Sequence, residues 1–282
     1  MSPPNDVAPS NAPDLAAVKC RQQGTWASGD FSVVASRLVF QAEHLCETAD
    51  IQAGWRVLDV ATGSGNVALH AARKGARVSG LDLVPELLEV ARSRALAEGV
   101  EIEWVEGDAE ALPFADASFD SVISVFGVQF TPRHYVTADE MVRVCRPGGS
   151  IGLVNWTPEG LIGEMFQIMG RYLPPAPAFA TAPPLWGDEH HVRDLFARHD
   201  VTLSFTRASN LFAFESVDAY QTFFEERYGP TIKAQEKLAP LGRWGDCRAE
   251  LREMFERRNT ATDGSCRIEA EYVAISISRT NA

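Results

Sequence analysis

Long apolar runs are missing from this sequence. No stretch approaches the roughly 20 consecutive apolar residues that span a bilayer, so no membrane helix and no membrane partner are expected. Basic residues are outnumbered, with 26 Lys and Arg against 38 Asp and Glu, for a formal net charge of −12. A sequence-independent hold on nucleic-acid phosphates needs clustered cations, and none occur here, so no nucleic-acid partner is expected. Cysteine is sparse: five residues, at positions 20, 46, 145, 247 and 266. Their number is odd and no pair has the short spacing of a zinc site, which points to reduced thiols and no metal. Residues 1–15 are rich in Pro, Asn, Asp, Ser and Ala, and such a composition predicts a mobile tail rather than a targeting segment. A soluble, cytoplasmic protein is the expectation.

What the chain does have is 282 residues with 45% hydrophobic content, enough to bury a full core. Its most informative stretch is residues 56–69, RVLDVATGSGNVAL. Val57, Leu58 and Val60 suit a strand buried on both faces of a parallel sheet. Small residues at Ala61, Gly63 and Gly65 follow, and Gly63 and Gly65 permit positive φ and close approach of a ligand. From Asn66 the spacing of Val67, Ala68, Leu69, Ala71 and Ala72 predicts a helix, with Gly75 as its C-terminal cap. The first N–H groups of that helix have no internal partners, and Thr62 stands beside them in the turn. Asp82 closes the next apolar run, where an acid accepts hydrogen bonds from ribose hydroxyls.

Two cofactor classes use such a turn. A dinucleotide fingerprint places a pyrophosphate on the helix N-terminus, and the glycines here pass for a degenerate version. Asp59, however, precedes the turn, where a carboxylate repels a pyrophosphate and attracts a cationic amino-acid group. That favours S-adenosylmethionine over NAD.

Periodicity predicts strands near residues 56–60, 77–82, 101–105, 119–125 and 149–155, with helices near 65–74, 85–98 and 135–145. Pro85 at a first helical position, with Glu86 beside it, marks a helix start. Strand-helix alternation implies right-handed crossovers and a parallel sheet, an α/β fold. Further on, a helix is expected at 188–198, a strand at 201–214, helices across 216–226 and 231–260, and a last strand at 266–278.

Three further blocks stand in order. IEWVEGD, residues 102–108, runs on through Ala109 and Glu110. FDSVISVFGVQF covers 119–130, and EMVRVCRPGGSIGLV covers 140–154. With the first block, these resemble a class I S-adenosylmethionine-dependent methyltransferase, in the branch that includes ubiquinone/menaquinone-biosynthesis and other small-molecule methyltransferases. The resemblance spans about residues 24–156. One departure is Ala61, where the commoner pattern has glycine; alanine still allows a tight turn.

The resemblance implies a doubly wound, seven-stranded, mostly parallel Rossmann-like sheet with a late antiparallel strand. It divides the chain into a flexible tail at 1–20, a helical lid at 21–50, and a methyltransferase domain at 51–282. It also implies the cofactor contacts. Asp59, Ala61, Thr62, Gly63, Gly65 and Asn66 come from the first turn, and Asp82 and Leu83 from the second strand end. Gly107, Asp108 and Ala109 hold the adenine, Val125, Phe126 and Gln129 lie near the sulfonium, and Trp26 and Phe31 belong to the lid. By residue type alone, Trp26, Asp30 and Phe31 read first as a capped helix packed on the sheet, with Asp30 as cap, and second as contacts.

Residues 156–187 mix aromatics with six prolines, five of them from Pro174 to Pro184, and fit neither regular element. A loop this long in a compact domain is usually functional or mobile, so acceptor-pocket residues are expected in it. The connection over about 215–265 is a second embellishment, serving either the acceptor or a dimer contact. The expected reaction is methyl transfer from S-adenosylmethionine, giving S-adenosylhomocysteine, to a small apolar or aromatic acceptor at oxygen, nitrogen or carbon. A base is needed only where the acceptor loses a proton, and His134, His190 and His191 are the candidate imidazoles. The alternatives are an NAD-dependent oxidoreductase and a non-catalytic cofactor binder.

Overall fold

Alternate residues on the central strands enter different cores, as strands buried on both faces require. Val57, Ile123 and Val154 join one hydrophobic core, while their neighbours Leu58, Val122 and Leu153 join the other. The computed structural model describes residues 14–281. Its seven-stranded sheet comprises β1 (Arg56–Val60), β2 (Arg77–Asp82), β3 (Ile102–Glu106), β4 (Phe119–Val125), β5 (Cys145–Trp156), β6 (Val201–Phe214) and β7 (Cys266–Arg279). The spatial order is β3-β2-β1-β4-β5-β7-β6. Strands β1 to β5 pair in parallel, and β7 runs antiparallel to both β5 and β6. Order reverses between β1 and β4, the topological switch point where doubly wound sheets bind ligands beyond their carboxyl strand ends.

Before the sheet come α1 (Leu15–Trp26), α2 (Phe31–Ala35) and α3 (Val39–Thr48). Crossovers within it carry α4 (Asn66–Arg73), α5 (Pro85–Glu98) and α6 (His134–Val144). After β5 follow α7 (Leu161–Tyr172), α8 (Glu189–Phe196), α9 (Val217–Arg227), α10 (Gly229–Leu238) and α11 (Trp244–Arg258). One core packs α3, α4, α7 and α9 to α11 on the sheet, and the other packs α6 and α8.

Four expectations change. Residues 15–20 are helix rather than tail, because Asp14 caps α1 through its carboxylate, 2.9 Å from the Ala16 N–H; residues 1–13 of the expected tail lie outside the described residues. The proline-glycine-glycine turn lies inside β5. Pairing jumps from Phe119–Cys145 to Ser121–Ser150, a bulge that takes up Pro147 to Gly149, with Gly148 at φ +70°. Residues 156–187 contain a regular helix, α7, since Pro158 precedes it and the other prolines begin only at Pro174, leaving Leu161, Ile162, Met165, Ile168 and Met169 free to form a buried face. Finally, 231–260 is two helices, broken around Pro240 and Gly242, the latter at φ +67°.

Leu58 is fully buried in the β1 layer. Leu58→Ala is expected to cost about 2–5 kcal/mol, read as a lower urea midpoint at unchanged m-value; a shift below about 1 kcal/mol would show a core able to collapse around the void.

Candidate active site

The chain leaves β1 through a turn of left-handed residues: Ala61 at φ +55°, Gly63 at +55° and Gly65 at +85°. Only the alanine is strained there, since its Cβ crowds the next carbonyl by about 1–2 kcal/mol. Surrounding packing holds it in place: Ala61 abuts Gly127, where an added Cβ would meet the Ala61 carbonyl oxygen at 2.7 Å. Asp59, 1% exposed, secures this turn to α4. Its Oδ2 accepts from Thr62 Oγ1 at 2.5 Å and from the Ala68 N–H at 3.0 Å. Asp82 does the same from β2, accepting from the Gly63 N–H at 2.7 Å and the Val84 N–H at 2.9 Å. Burial pushes the Asp59 carboxyl up to about 7, with the charge of Asp82 adding to it and the Thr62 and Ala68 hydrogen bonds opposing. Burial likewise pushes Asp82 up to about 6 against its backbone donors.

A third acid follows β3. Asp108 accepts from the Glu110 N–H at 2.8 Å and from Lys19 Nζ of α1. Lys19 also lies 2.7 Å from Glu110, whose buried carboxylate takes Arg133 from the other side at 2.9 Å. Two more residues fasten α1 over the strand ends: Gln22 donates to the Phe130 carbonyl at 2.7 Å and Gln23 to the Leu83 carbonyl at 2.9 Å.

These elements surround a cavity that opens to solvent, about 1050 Å³ of empty space in all. Asp59, Ala61, Thr62, Gly63 and Asn66 line it from the first turn, and Asp82 and Leu83 from the second strand. Gly107, Asp108 and Ala109 close one end, Val125 and Phe126 form the floor near β4, and Trp26 and Phe31 cover it. Gly65 and Gln129 do not line it. Gly65 instead caps α4, and a Cβ there would meet Trp104 at 3.0 Å. Gln129 is turned inward, donating to the Phe126 carbonyl at 3.2 Å and accepting from the Trp156 N–H at 3.1 Å. Asp30 caps α2, with its carboxylate 3.4 Å from the Val33 N–H. Lys19 and Gln22 line the cavity without having been foreseen. Their i, i+3, i+7 spacing with Trp26 was the available signal.

None of the three histidines reaches this cavity. His134 is 1% exposed, with Nε2 donating to the Gln129 carbonyl at 3.2 Å. Its Nδ1 must then accept, and His191 Nε2 donates to it at 3.0 Å. Burial, reinforced by His191, pushes His134 down to about 3, so both ring nitrogens are committed and the ring stays neutral. His190 lies exposed on α8. The His134–His191 hydrogen bond joins α6 to α8.

A second chamber, of about 340 Å³, shares Trp26, Phe31, Leu38, Phe126 and Phe130 with the first. Phe126 is held at φ +57° and stacks on Trp156 with ring centroids 3.8 Å apart. Only Trp156 and Ile162 of the expected acceptor segment line this chamber; Trp186 of its proline-rich part is buried in the opposite core. The later connection contributes Phe224 and Tyr228.

A cleft at the switch point with a glycine turn and an acid at each of three strand ends defines a Rossmann-like, nucleoside-cofactor-binding protein. Residues 57–149 match the family described as Methyltransferase domain. The protein Rv1403c of Mycobacterium tuberculosis is 45% identical over 216 residues, covering 76% of this chain and 79% of that one. A demethylmenaquinone methyltransferase of Deinococcus radiodurans is 40% identical over 124 residues, 43% of this chain and 52% of that one. Among solved structures, the YcgJ protein of Bacillus subtilis superposes with a TM-score of 0.61 at 20% identity, covering 86% of this chain and all of that one. The chain belongs to the S-adenosylmethionine-dependent methyltransferase family, and S-adenosylmethionine is its cofactor. Membership sets aside the nicotinamide alternative. No helix among the described residues is long and apolar enough to cross a membrane.

The two raised carboxyls carry a pH signature. Unfolded, a carboxyl titrates near about 4, so between there and about 7 the folded chain holds the extra protons, and the contribution of these groups to stability falls as pH rises. Asp59→Asn keeps an acceptor oxygen for Thr62 and Ala68. It is expected to raise the denaturation midpoint of the cofactor-free protein at about pH 8 and change it little at about pH 4; equal shifts at both would refute a charge effect.

Proposed function

We propose that the protein transfers the methyl group of S-adenosylmethionine to a small, apolar or aromatic molecule, at oxygen, nitrogen or carbon. The observation that carries this reading is the aromatic chamber adjoining the cofactor cleft, with Trp26, Phe31, Leu38, Phe126 and Phe130 lining both. The match to a protein named demethylmenaquinone methyltransferase supports the acceptor class. The cofactor supplies a methyl group already activated on a sulfonium, so the protein's task is alignment for an in-line displacement.

The residues divide that task. Asp59 receives the ammonium of the amino-acid end, and free N–H groups of the turn donate to that end's carboxylate. Asp82 has spent one lone pair of each oxygen on a backbone donor, and the remaining ones accept the ribose hydroxyls. Asp108 and the Ala109 N–H take the adenine edge, while α1, with residues 21–50, acts as a lid whose Lys19, Gln22 and Gln23 contacts hold it shut. Neither an imidazole nor a carboxylate lines the acceptor chamber, so positioning carries catalysis rather than a protein base.

Calorimetric titration with S-adenosylmethionine and S-adenosylhomocysteine tests the donor site. Both ligands are expected to bind, and Asp82→Ala to weaken both by about ten- to a hundredfold, the worth of hydrogen bonds to a charged group. An unchanged affinity would place the ribose elsewhere.

A further inference from the structure

The wall of the second chamber consists of eight aromatic and three aliphatic side chains, and its one hydroxyl belongs to Tyr228. Resting on the methyltransferase reading of the adjoining cleft, we propose that Tyr228 selects the acceptor. Its phenol hydrogen-bonds the single polar group of an uncharged, ring-bearing molecule, and the chamber refuses charged ones.

Tyr228 is 5% exposed and stands where α9 meets α10. Its backbone is fixed on both sides: the N–H donates to the Phe224 carbonyl at 3.1 Å, and its own carbonyl accepts from the Thr231 and Ile232 N–H groups at 3.0 and 3.1 Å. Edge-to-face contacts hold the ring, with centroids 5.8 Å from Trp26 and 5.6 Å from Phe224. Trp26 in turn meets Phe31 at 5.3 Å and Phe130 at 4.6 Å, so the phenol belongs to the same aromatic assembly that divides chamber from cleft.

Burial alone raises the Tyr228 phenol above its ordinary range, with no charged or hydrogen-bonding group contributing. At neutral pH it is therefore a donor and an acceptor, never a base. A buried hydroxyl left without a partner costs about 1–3 kcal/mol. A ligand that meets it is thereby distinguished from its deoxy analogue, whereas one methylene more or less is a weaker signal in an apolar pocket.

Charge is refused by the same wall. Transferring an ion from water into hydrocarbon surroundings costs several kcal/mol unless it is paired. The other polar atoms on the wall are the indole N–H groups of Trp26 and Trp156. Neither carboxylate nor ammonium meets a counter-charge there. Flat rings, by contrast, find edge-to-face and offset partners on several sides.

The test uses the full chain saturated with S-adenosylhomocysteine and titrated calorimetrically with 2-naphthol, naphthalene, 2-naphthoate and 2-naphthylmethylammonium. 2-Naphthol is expected to bind, and the two ions at least about tenfold more weakly, one decade per 1.4 kcal/mol. Tyr228→Phe is expected to weaken 2-naphthol about tenfold, to leave naphthalene within about twofold, and to keep S-adenosylhomocysteine affinity. Equal binding of the ions, or a Tyr228→Phe loss that is absent or the same for naphthol and naphthalene, would overturn the proposal. If Tyr228→Phe fails to fold, the wild-type preference for 2-naphthol over naphthalene decides, and no preference overturns it. Binding of S-adenosylhomocysteine without any naphthyl ligand would remove the chamber assignment alone. No binding of S-adenosylhomocysteine would remove the reading beneath it.

Discussion

Two carboxylates are buried at the ends of neighbouring strands without a cation to offset them, and the organisation of the site follows from that. Asp59 and Asp82 are stabilised by Thr62 and by backbone N–H groups of the turn and of α4. Such donors hold the geometry but do not cancel two negative charges, and both acids resist ionisation as a result. An anionic pyrophosphate would add to that unbalanced charge, whereas the proposed cationic amino-acid end of S-adenosylmethionine would offset it. The same acids cost the cofactor-free fold stability, a common exchange at functional sites.

Around this acidic cleft the protein builds an aromatic one. Trp26 touches Phe31, Phe130 and Tyr228, and so links α1, α2, the loop after β4 and the α9–α10 junction. Phe126, strained at positive φ, stacks on Trp156 beneath them. Polar side chains are concentrated in the first cleft and apolar ones in the second chamber. The wall between the two is one set of rings.

Much of the fold was legible because the strands are short, apolar and bounded by turn residues. β1, β2, β4 and β6 begin and end where periodicity sets them. Errors arose where a local signal had a tertiary answer. Pro147 to Gly149 read as a turn, yet neighbouring strands absorb them as a bulge in β5. His134 and His191 read as candidate bases, yet they hydrogen-bond one another between α6 and α8 and line neither chamber. Gln129 read as a cofactor contact, yet its amide was needed by the Phe126 carbonyl and the Trp156 N–H.

By itself the sequence determined the acidic cleft at the strand ends. Asp59, Gly63, Asp82 and Asp108 sit at strand ends, and in a parallel sheet every such end faces the same edge, so spacing alone gathers them. The aromatic chamber was decided only by tertiary structure. Trp26, Phe126, Trp156, Phe212 and Tyr228 come from five separate parts of the chain and share no periodicity. Packing of α1, α7, α9 and α10 over the sheet makes them one wall, because contact between distant segments is a property of the folded surface and not of spacing.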